Sequence, residues 1–355
     1  MYKRKENYFK MINQTPKVSI IVPIYNAAEY LSRSIQCLIN QTLDDIEIIL
    51  VDDGSTDESY QICERYQSKD KRIKLFHKTN EGQGIARNYG IEHASGEFVG
   101  FMDSDDTVDV NMFKELYEKA QSCEADMVYS FMENEIMSKD IWFENFIADT
   151  KEYRVEVINQ IIGSLPIEQE DSILGMSVWR SIFRRELINS RNIRFISERK
   201  VNSEDMLFNF DFLINCNKVA FVDKAFYKYC HDNSNSFSVT YNDKRFIMFK
   251  NLYNELKKRL DMYNLNDDYQ LLRIQRRFLA NVRVILMEKA RWINKNNRLH
   301  VLESIKEILN DELLKSLLND YPIDKLPFKQ KVYFKMMRKK KVYSLVILAK
   351  LKMKF

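Results

Sequence analysis

Residues 46–57 read IEIILVDDGSTD, a mostly apolar, β-branched run that ends abruptly in acids, a glycine and small polar residues. Ile46–Val51 has the length and composition of a buried strand, and the polar residues behind it mark the strand's end as a loop. The same shape recurs on either side. Val18–Val22 is an apolar run stopped by Pro23 and followed by Ile24-Tyr25-Asn26; Ile73–Phe76 precedes Asn80-Glu81-Gly82-Gln83-Gly84 and then Ala86-Arg87-Asn88; Phe98–Met102 precedes Asp103-Ser104-Asp105-Asp106. Helical spacing fills the intervals. Asn26 is placed to cap a helix with apolar positions at Tyr30, Leu31, Ile35 and Leu38, and further helices are expected over Asp57–Tyr66, Gly82–Ala94 and Val110–Gln121. Met127–Phe131 is a fifth strand. Alternation with such short connections implies right-handed βαβ units and a mostly parallel α/β sheet with helices on both faces. In such sheets ligands bind beyond the carboxyl ends of the strands, so chemistry is to be sought in the polar residues behind each one.

The remainder is less regular. Residues 132–175 carry little pattern and read as a long connection. Helices are expected near Trp179–Asn189 and Asp205–Asn215, and a strand over Lys218–Val222. Beyond residue 241 apolar residues recur at helical spacing over Phe246–Tyr263, Tyr269–Asn294 and His300–Leu318, which gives a C-terminal helical appendage.

Composition narrows the class. A hydrophobic content of 45% with 30% charged residues is that of a globular chain and excludes wholesale disorder. The five cysteines are scattered with no CxxC pair, which argues for a reducing compartment and against a disulfide framework or zinc knuckle. No run reaches the ~18 apolar residues of a spanning helix, and the N-terminus lacks the apolar core of a secretory signal. The expected location is therefore the cytoplasm. Charge is uneven: residues 325–355 hold 11 Lys and Arg and no acid, so with a net +4 overall the rest of the chain sums to −7. A nucleic-acid enzyme spreads its positive charge over a working face, and no nucleic-acid partner is expected. The tail, with Val342, Leu345, Val346, Ile347 and Leu348, reads either as an address for an anionic membrane surface or as a basic helix packed on its own domain.

Acids closing an apolar strand are costly unless solvated, hydrogen-bonded or bound to a cation. Asp103 and Asp105, two apart, can face one hard cation, and oxygen ligands suit Mg2+ or Mn2+ holding a diphosphate. Asp52 and Asp53 can instead accept from a base ring N–H or a ribose hydroxyl. Gly82-Gln83-Gly84-Ile85-Ala86-Arg87 is not a dinucleotide fingerprint, because Arg87 takes the third glycine's place and the run follows the third strand.

Residues 18–59, then NEGQGIARNYG (80–90) and GEFVGFMDSDD (96–106), are similar to the nucleotide-sugar-binding half of family 2 inverting glycosyltransferases with the GT-A fold. The similarity holds in motif order over 18–106 and stays legible to about 240, through VWRSIFRRELI, SEDMLF and Tyr227–Ser238. It implies a Rossmann-like GT-A domain over 18–240, with a nucleotide-sugar half at 18–130 and an acceptor half at 131–240. Residues 1–17 are an extension and 241–355 the helical region with its basic tail. By the same resemblance Pro23, Tyr25 and Asn26 line the base and ribose pocket, Asp52 and Asp53 contact a uridine, and Asn80, Gly82 and Arg87 close over it. Asp103, Ser104 and Asp105 form the DxD motif, with Asp105 the direct metal ligand. Glu204-Asp205 matches the late acidic pair, with Asp205 the general base and Ser203 where relatives often have Gly. His231 is either a third metal ligand or a plain loop residue. Trp179 packs either an acceptor sugar or the core, and Arg184 and Arg185 face either an acceptor phosphate or solvent.

The activity implied is metal-dependent, inverting transfer of a hexose or N-acetylhexosamine from a UDP-sugar to a hydroxyl of a glycan acceptor. The acceptor class is a lipid-linked intermediate of surface polysaccharide, used by an enzyme held on the inner face of the plasma membrane. The helical segment 241–330 covers the acceptor groove, mediates self-association or buttresses the tail, three roles between which the sequence does not choose. A catalytically silent binding subunit is the alternative, against which the intact Asp103, Asp105 and Asp205 speak. Nucleotidyl transfer would need a Gly-rich basic loop after the first strand, which PIYNAAEY does not provide.

Overall fold

Continuous apolar runs become strands buried on both faces, and the first two set the frame. The structure, a computed structural model, describes residues 15–132, 147–168, 175, 177–230, 243–294 and 296–351. Strands β1 (Val18–Ile24), β2 (Ile46–Asp52), β3 (Ile73–His77) and β4 (Phe98–Phe101) are parallel in the order β3-β2-β1-β4. Every residue of β1 and β2 is buried. The order reverses between β1 and β4, which places the crevice of an open α/β sheet at their carboxyl ends. β1 does not stop at Pro23 as expected but runs through it in register with β2. The pairing with β4 ends at Ile21, whose carbonyl accepts the Met102 N–H. Pro23 faces that same side two residues on, where the ladder has ended, so its missing N–H costs nothing.

Helices α1 (Ala28–Ile39), α2 (Ser59–Gln67) and α4 (Met112–Cys123) cover one face through Leu31, Ile35, Ile62, Phe113 and Leu116, packed on Ile20, Val22, Ile48, Leu50 and Phe98. Helix α3 (Gln83–His93) lies on the other face, so close to β1 that a Cβ on Gly90 would stand 2.4 Å from Ile21 Cγ2. The sheet continues with β5 (Thr107–Val108), β6 (Met127–Met132), β7 (Ile147–Ala148), β8 (Ser181–Arg184) and β9 (Val219–Lys228), in the order β4-β8-β6-β9-β5 with β7 also on β9. β6 and β9 are parallel to each other, whereas β8, β5 and β7 run antiparallel to their neighbours. The helix expected over Trp179–Asn189 is instead a 3-10 turn (Val178–Arg180), strand β8 and helix α6 (Arg185–Ser190). Ile182 and Phe183 point to opposite faces: Ile182 joins the core under α4, and Phe183 meets Phe208 and Phe212 of helix α7 (Glu204–Asn215). Helix α5 (Lys151–Ile162) and β7 form inside the stretch that showed little pattern.

The chain divides into two compact units. The sheet belongs to the first, made from residues 1–155, 177–198 and 207–240. The division is not a single cut near 240, since 156–176 and 199–206 join 241–355 in the second. That unit holds α8 (Arg245–Met262), α9 (Asp268–Trp292), α10 (Arg298–Asn310), α11 (Glu312–Asp320), α12 (Phe328–Arg338) and α13 (Val342–Lys350). The helix expected over His300–Leu318 breaks at Asp311, whose carboxylate accepts the Leu314 N–H and caps α11. Three buried arginines of α9 close the C-terminal end of α5. Arg277 donates to the Ile161 and Ile162 carbonyls, Arg273 to those of Asn159 and Gly163, and Arg276 to that of Leu165. Cations are favoured there because the last carbonyls of a helix have no partner of their own and carry the negative end of its dipole.

At the amino ends of the strands one buried carboxylate ties four segments together. Glu47 of β2 accepts from Ser19 of β1, from Lys74 of β3, and from the backbone of Ser95 and Gly96 ahead of β4. Burial pushes the carboxyl up, but hydrogen bonds from Lys74, Ser19 and Ser95 more than reverse this, and it sits below its ordinary value of 4.5. Glu47→Gln is expected to cost about 2 kcal/mol of unfolding free energy at neutral pH, because a buried charged network loses its acceptor. A depressed carboxyl contributes fully above the unfolded value and loses its contribution as pH falls through the folded one. The gap between wild type and variant in urea melts should therefore narrow below pH 4.5; a gap constant into acid would contradict the ionic role of Glu47.

Candidate active site

The two acids after Val51 do different work. Asp52 is fully buried; its Oδ2 lies 2.6 Å from His77 Nδ1 at the end of β3, and its Oδ1 accepts the Ser55 N–H. Asp53 accepts from Glu81 N (3.1 Å) and Gly82 N (2.7 Å) and pairs with Lys78 Nζ at 2.8 Å. It thereby draws the 78–82 loop onto the DGS turn. Gly54, at φ 74°, passes so near that loop that a Cβ would stand 3.0 Å from Asn80 N.

Behind β1, Tyr25 is 52% exposed beside Asn26, which adopts a left-handed φ of 49°. That turn aims Asn26 at the DGST loop instead of at α1. Its Oδ1 accepts the Thr56 N–H (2.8 Å), and its own N–H donates to Ser55 Oγ. Asn26 is therefore not the cap of α1, because Ser59 Oγ and the Asp57 carboxylate take the Ala27 and Ala28 N–H groups. The link makes one platform of the first two strand ends, with Pro23 buried beneath it.

The third and fourth strand ends meet through Asp103. Gln83 Nε2 and Arg87 Nη2, both on α3, donate to Asp103 Oδ1 at 2.9 Å each. Arg87 is 1% exposed and lies over the Phe195 ring. The DSDD loop is held by its backbone: Arg33 of α1 donates to the Asp105 carbonyl and Ser34 to that of Asp106, both at 2.7 Å. Ser104 and Asp105 are half-buried. Tyr227 Oη of β9 donates to Asp106 Oδ2 (2.7 Å) and accepts the Asp103 N–H, while Cys230 N–H donates to Asp106 Oδ1. Burial, then the charges of Asp103 and Asp105, push the Asp106 carboxyl up to about 8.

Three acids in four residues, one of them raised by burial and then by its neighbours' charges, make a field that a cation would relieve. The donors are hard oxygens. Among the described residues no group of three or more acidic, His or Cys side chains is arranged to hold an ion alone. The set therefore fits a Mg2+- or Mn2+-type ion that takes one or two carboxylates and completes its shell with ligand phosphates and water.

Other expected residues fall elsewhere. Trp179 is buried in the core and stacked on Tyr227 at 3.7 Å between ring centroids, so it supports the Asp106 partner and offers no platform for a sugar. Arg184 and Arg185 sit at the opposite, amino end of β4, where Arg184 pairs with Asp126 and Glu97 and Arg185 donates to the Gly96 carbonyl. They line a cavity of about 450 Å³ with Lys17, Tyr117 and Glu186. Glu204 (buried) and Asp205 (half-buried) open α7 after Ser203, which holds a φ of 72°. A glycine at 203 would meet that backbone without strain. His231 lies outside the described residues.

Glu198 escaped the sequence reading. Its Oε2 accepts the Gly84 N–H (3.1 Å), and its neighbours are stitched to α3 by paired hydrogen bonds between Asn88 and Phe195. Nothing local in Ser197-Glu198-Arg199-Lys200 marks it, because its partners are more than a hundred residues away. Tyr227 was missed for the same reason.

Acids and an arginine thus converge on the carboxyl ends of parallel strands at the reversal of strand order, and the sequence that builds this edge matches a family model. The glycosyl transferase family 2 model covers residues 19–188. Glycosyltransferase GlyG of Streptococcus pneumoniae is 32% identical over 223 residues, which are 60% of this chain and 70% of that protein. The chain belongs to glycosyl transferase family 2. A cholesterol galactosyltransferase of Borreliella burgdorferi is 35% identical over 217 residues, 59% of each chain. This family 2 chain spans about three fifths of the length of the first curated relatives it matches. Among solved structures, S. aureus TarS 1–349 in complex with UDP-GlcNAc superposes with a TM-score of 0.62 at 22% identity, over 94% of this chain and 90% of that one. The fold is GT-A.

Gly82 tests the site's packing. At φ 104° it lies where side chains are strained, and a Cβ would come 2.1 Å from Glu198 Oε1. Gly82→Ala should cost about 2–4 kcal/mol, part from the backbone and part from the collision. In a double-mutant cycle Glu198→Ala should recover at least about 1 kcal/mol of that loss. Strict additivity in urea melts would show that Glu198 does not lie on Gly82.

Proposed function

We propose that this chain is a metal-dependent, inverting glycosyltransferase. It moves a hexose or N-acetylhexosamine from a UDP-sugar to a hydroxyl of a glycan acceptor, a lipid-linked intermediate of surface polysaccharide at the inner face of the plasma membrane. One observation carries the reading: the segments behind four consecutive strands bring Asn26, Asp53, Arg87 and Asp103 to one edge of the sheet, where the hydrogen bonds Thr56–Asn26, Gly82–Asp53 and Arg87–Asp103 link those segments. TarS, with the same fold, is a UDP-GlcNAc complex, which favours a uridine donor. The Borreliella relative carries a lipid acceptor in its name, which favours an acceptor of that class. No helix among the described residues is long and apolar enough to cross a membrane, so the acceptor would be met at the surface.

In this mechanism the Tyr25–Asn26 and Asp52–Asp53 platform binds the nucleoside, and the Asn80–Gly82 loop closes beside it. Asp103 and Asp105 would hold the divalent ion, which supplies charge neutralisation at the departing diphosphate. Arg87, buried and paired, keeps Asp103 in one orientation. Asp205 accepts the proton of the acceptor hydroxyl. As that oxygen bonds to the anomeric carbon, the bond to the diphosphate oxygen breaks with its electron pair leaving on UDP, and the centre inverts. Glu204 shapes the acceptor side next to it.

Asp205→Asn should leave the affinity for UDP with Mn2+ within about twofold of wild type in calorimetry while lowering transfer by about 10²–10⁴. Asp105→Ala should lose the metal dependence of UDP binding itself. Unchanged turnover in the Asp205 variant would remove the base assignment, and metal-independent UDP binding by wild type would remove the metal.

A further inference from the structure

The basic tail was open to two readings, and its two helices divide them between faces. α13 packs on its own unit through Val342, Leu345 and Ala349, all buried, and Arg291 of α9 donates to the Ala349 carbonyl. The opposite face is apolar and outward. Tyr343 is 64% exposed, Ile347 58% and Leu351 63%, a stripe at i, i+4 and i+8 along one side of the helix. Three consecutive lysines, Lys339, Lys340 and Lys341, form the exposed turn that leads into α13, and Lys350 stands exposed three residues beyond Ile347. There is no acid from residue 325 to the end of the chain.

An apolar ridge with cations at both ends and no acid in its own segment has a specific complement. A protein partner for the ridge would need acids spaced to match; a lipid surface offers acyl chains beneath a continuous sheet of negative charge. We propose that the second unit docks on anionic lipid through α13, with Tyr343, Ile347 and Leu351 entering the headgroup boundary and Lys339–Lys341 and Lys350 meeting the phosphates. The inference deepens the membrane part of the proposed function, and it rests on residues of the second unit alone. The buried face of α13 fixes the helix, so the contact orients the unit and does not merely tether it.

The test is sedimentation of the full chain with vesicles of phosphatidylglycerol and phosphatidylcholine in equal parts, read without donor or acceptor. Wild type should bind these vesicles, release them at high salt, and ignore vesicles of phosphatidylcholine alone. Lys339→Glu with Lys341→Glu should weaken partitioning about thirtyfold or more, and Ile347→Asp about tenfold. All three positions are exposed, so UDP affinity and thermal stability should stay at wild-type values and report an intact fold. Failure of wild type to bind, equal binding to neutral vesicles, or unchanged binding in both variants would overturn the proposal. A wild-type dimer that Ile347→Asp dissociates, in place of vesicle binding, would overturn it by assigning the face to a second copy. Lost vesicle binding with intact sugar transfer would leave the enzymatic reading standing, and the reverse result would leave the docking face standing.

Discussion

Five carboxylates stand at the ends of β2 and β4, the two strands that flank β1, and the shape of the site follows from what must be done with them. An acid beside low-dielectric strand ends costs several kcal/mol unless each lone pair finds a donor. Asp52 takes His77 and Ser55, Asp53 takes a lysine and two backbone amides, Asp106 takes a tyrosine and an amide, and Asp103 takes an arginine and a glutamine. Apart from Ser55, the donors come from the end of β3, the 78–82 loop, α3 and the end of β9, so satisfying the acids also assembles the loops. The 78–82 loop is where it is because Asp53 holds its amides, and α3 starts where it does because that loop ends on Gly82 at a φ open to glycine. The constraint explains why Arg87 is buried on a helix whose other buried residues are Gly84, Ala86, Gly90 and Ile91.

The arrangement also separates roles that the sequence shows as one run. In Asp103-Ser104-Asp105-Asp106 the acids are equivalent on paper. In the fold Asp106 turns inward to Tyr227 and Cys230, where it anchors the loop to β9, and Trp179 stacks behind the tyrosine. Asp103 turns toward α3. A cation would be met by a loop already fixed from behind by Arg33 and Ser34, which is the preorganisation that a site holding a highly charged ligand requires.

How much of this was legible depended on the range of the interactions. β2 and β4 could be read because runs buried on both faces are almost wholly apolar, Glu47 aside, and their ends because clustered acids close them. β8 could not: Ser181–Arg184 has only Ile182 and Phe183 to show, and two adjacent apolar residues fit a helix as well as a strand until both sheet neighbours are known. Asn26 has the right identity for a helix cap, but a left-handed φ sends its side chain to Thr56, a choice made by the partner loop and not by local propensity. Pro23 ended the expected strand because proline breaks ladders, and only the early stop of β4 makes it harmless. Glu198 and Tyr227 act across more than a hundred residues, and no window along the chain contains both halves of their contacts.

Charge shows the same dependence on placement. Arg273, Arg276 and Arg277 are buried in the second unit, where planar guanidinium groups supply several donors at once to the open end of α5; lysine in their place would bring the charge without the fork. Those cations contribute to the formal count but present no charge to a partner. In the tail, by contrast, Lys325, Lys329, Arg338, Lys339, Lys340, Lys341 and Lys350 are all exposed, and the single acid just before it, Asp324, pairs with Lys335. A net charge read from the sequence therefore understates the asymmetry. The tail presents its positive charge outward, while Asp52, Asp53 and Asp106 of the first unit are buried among the loops they hold.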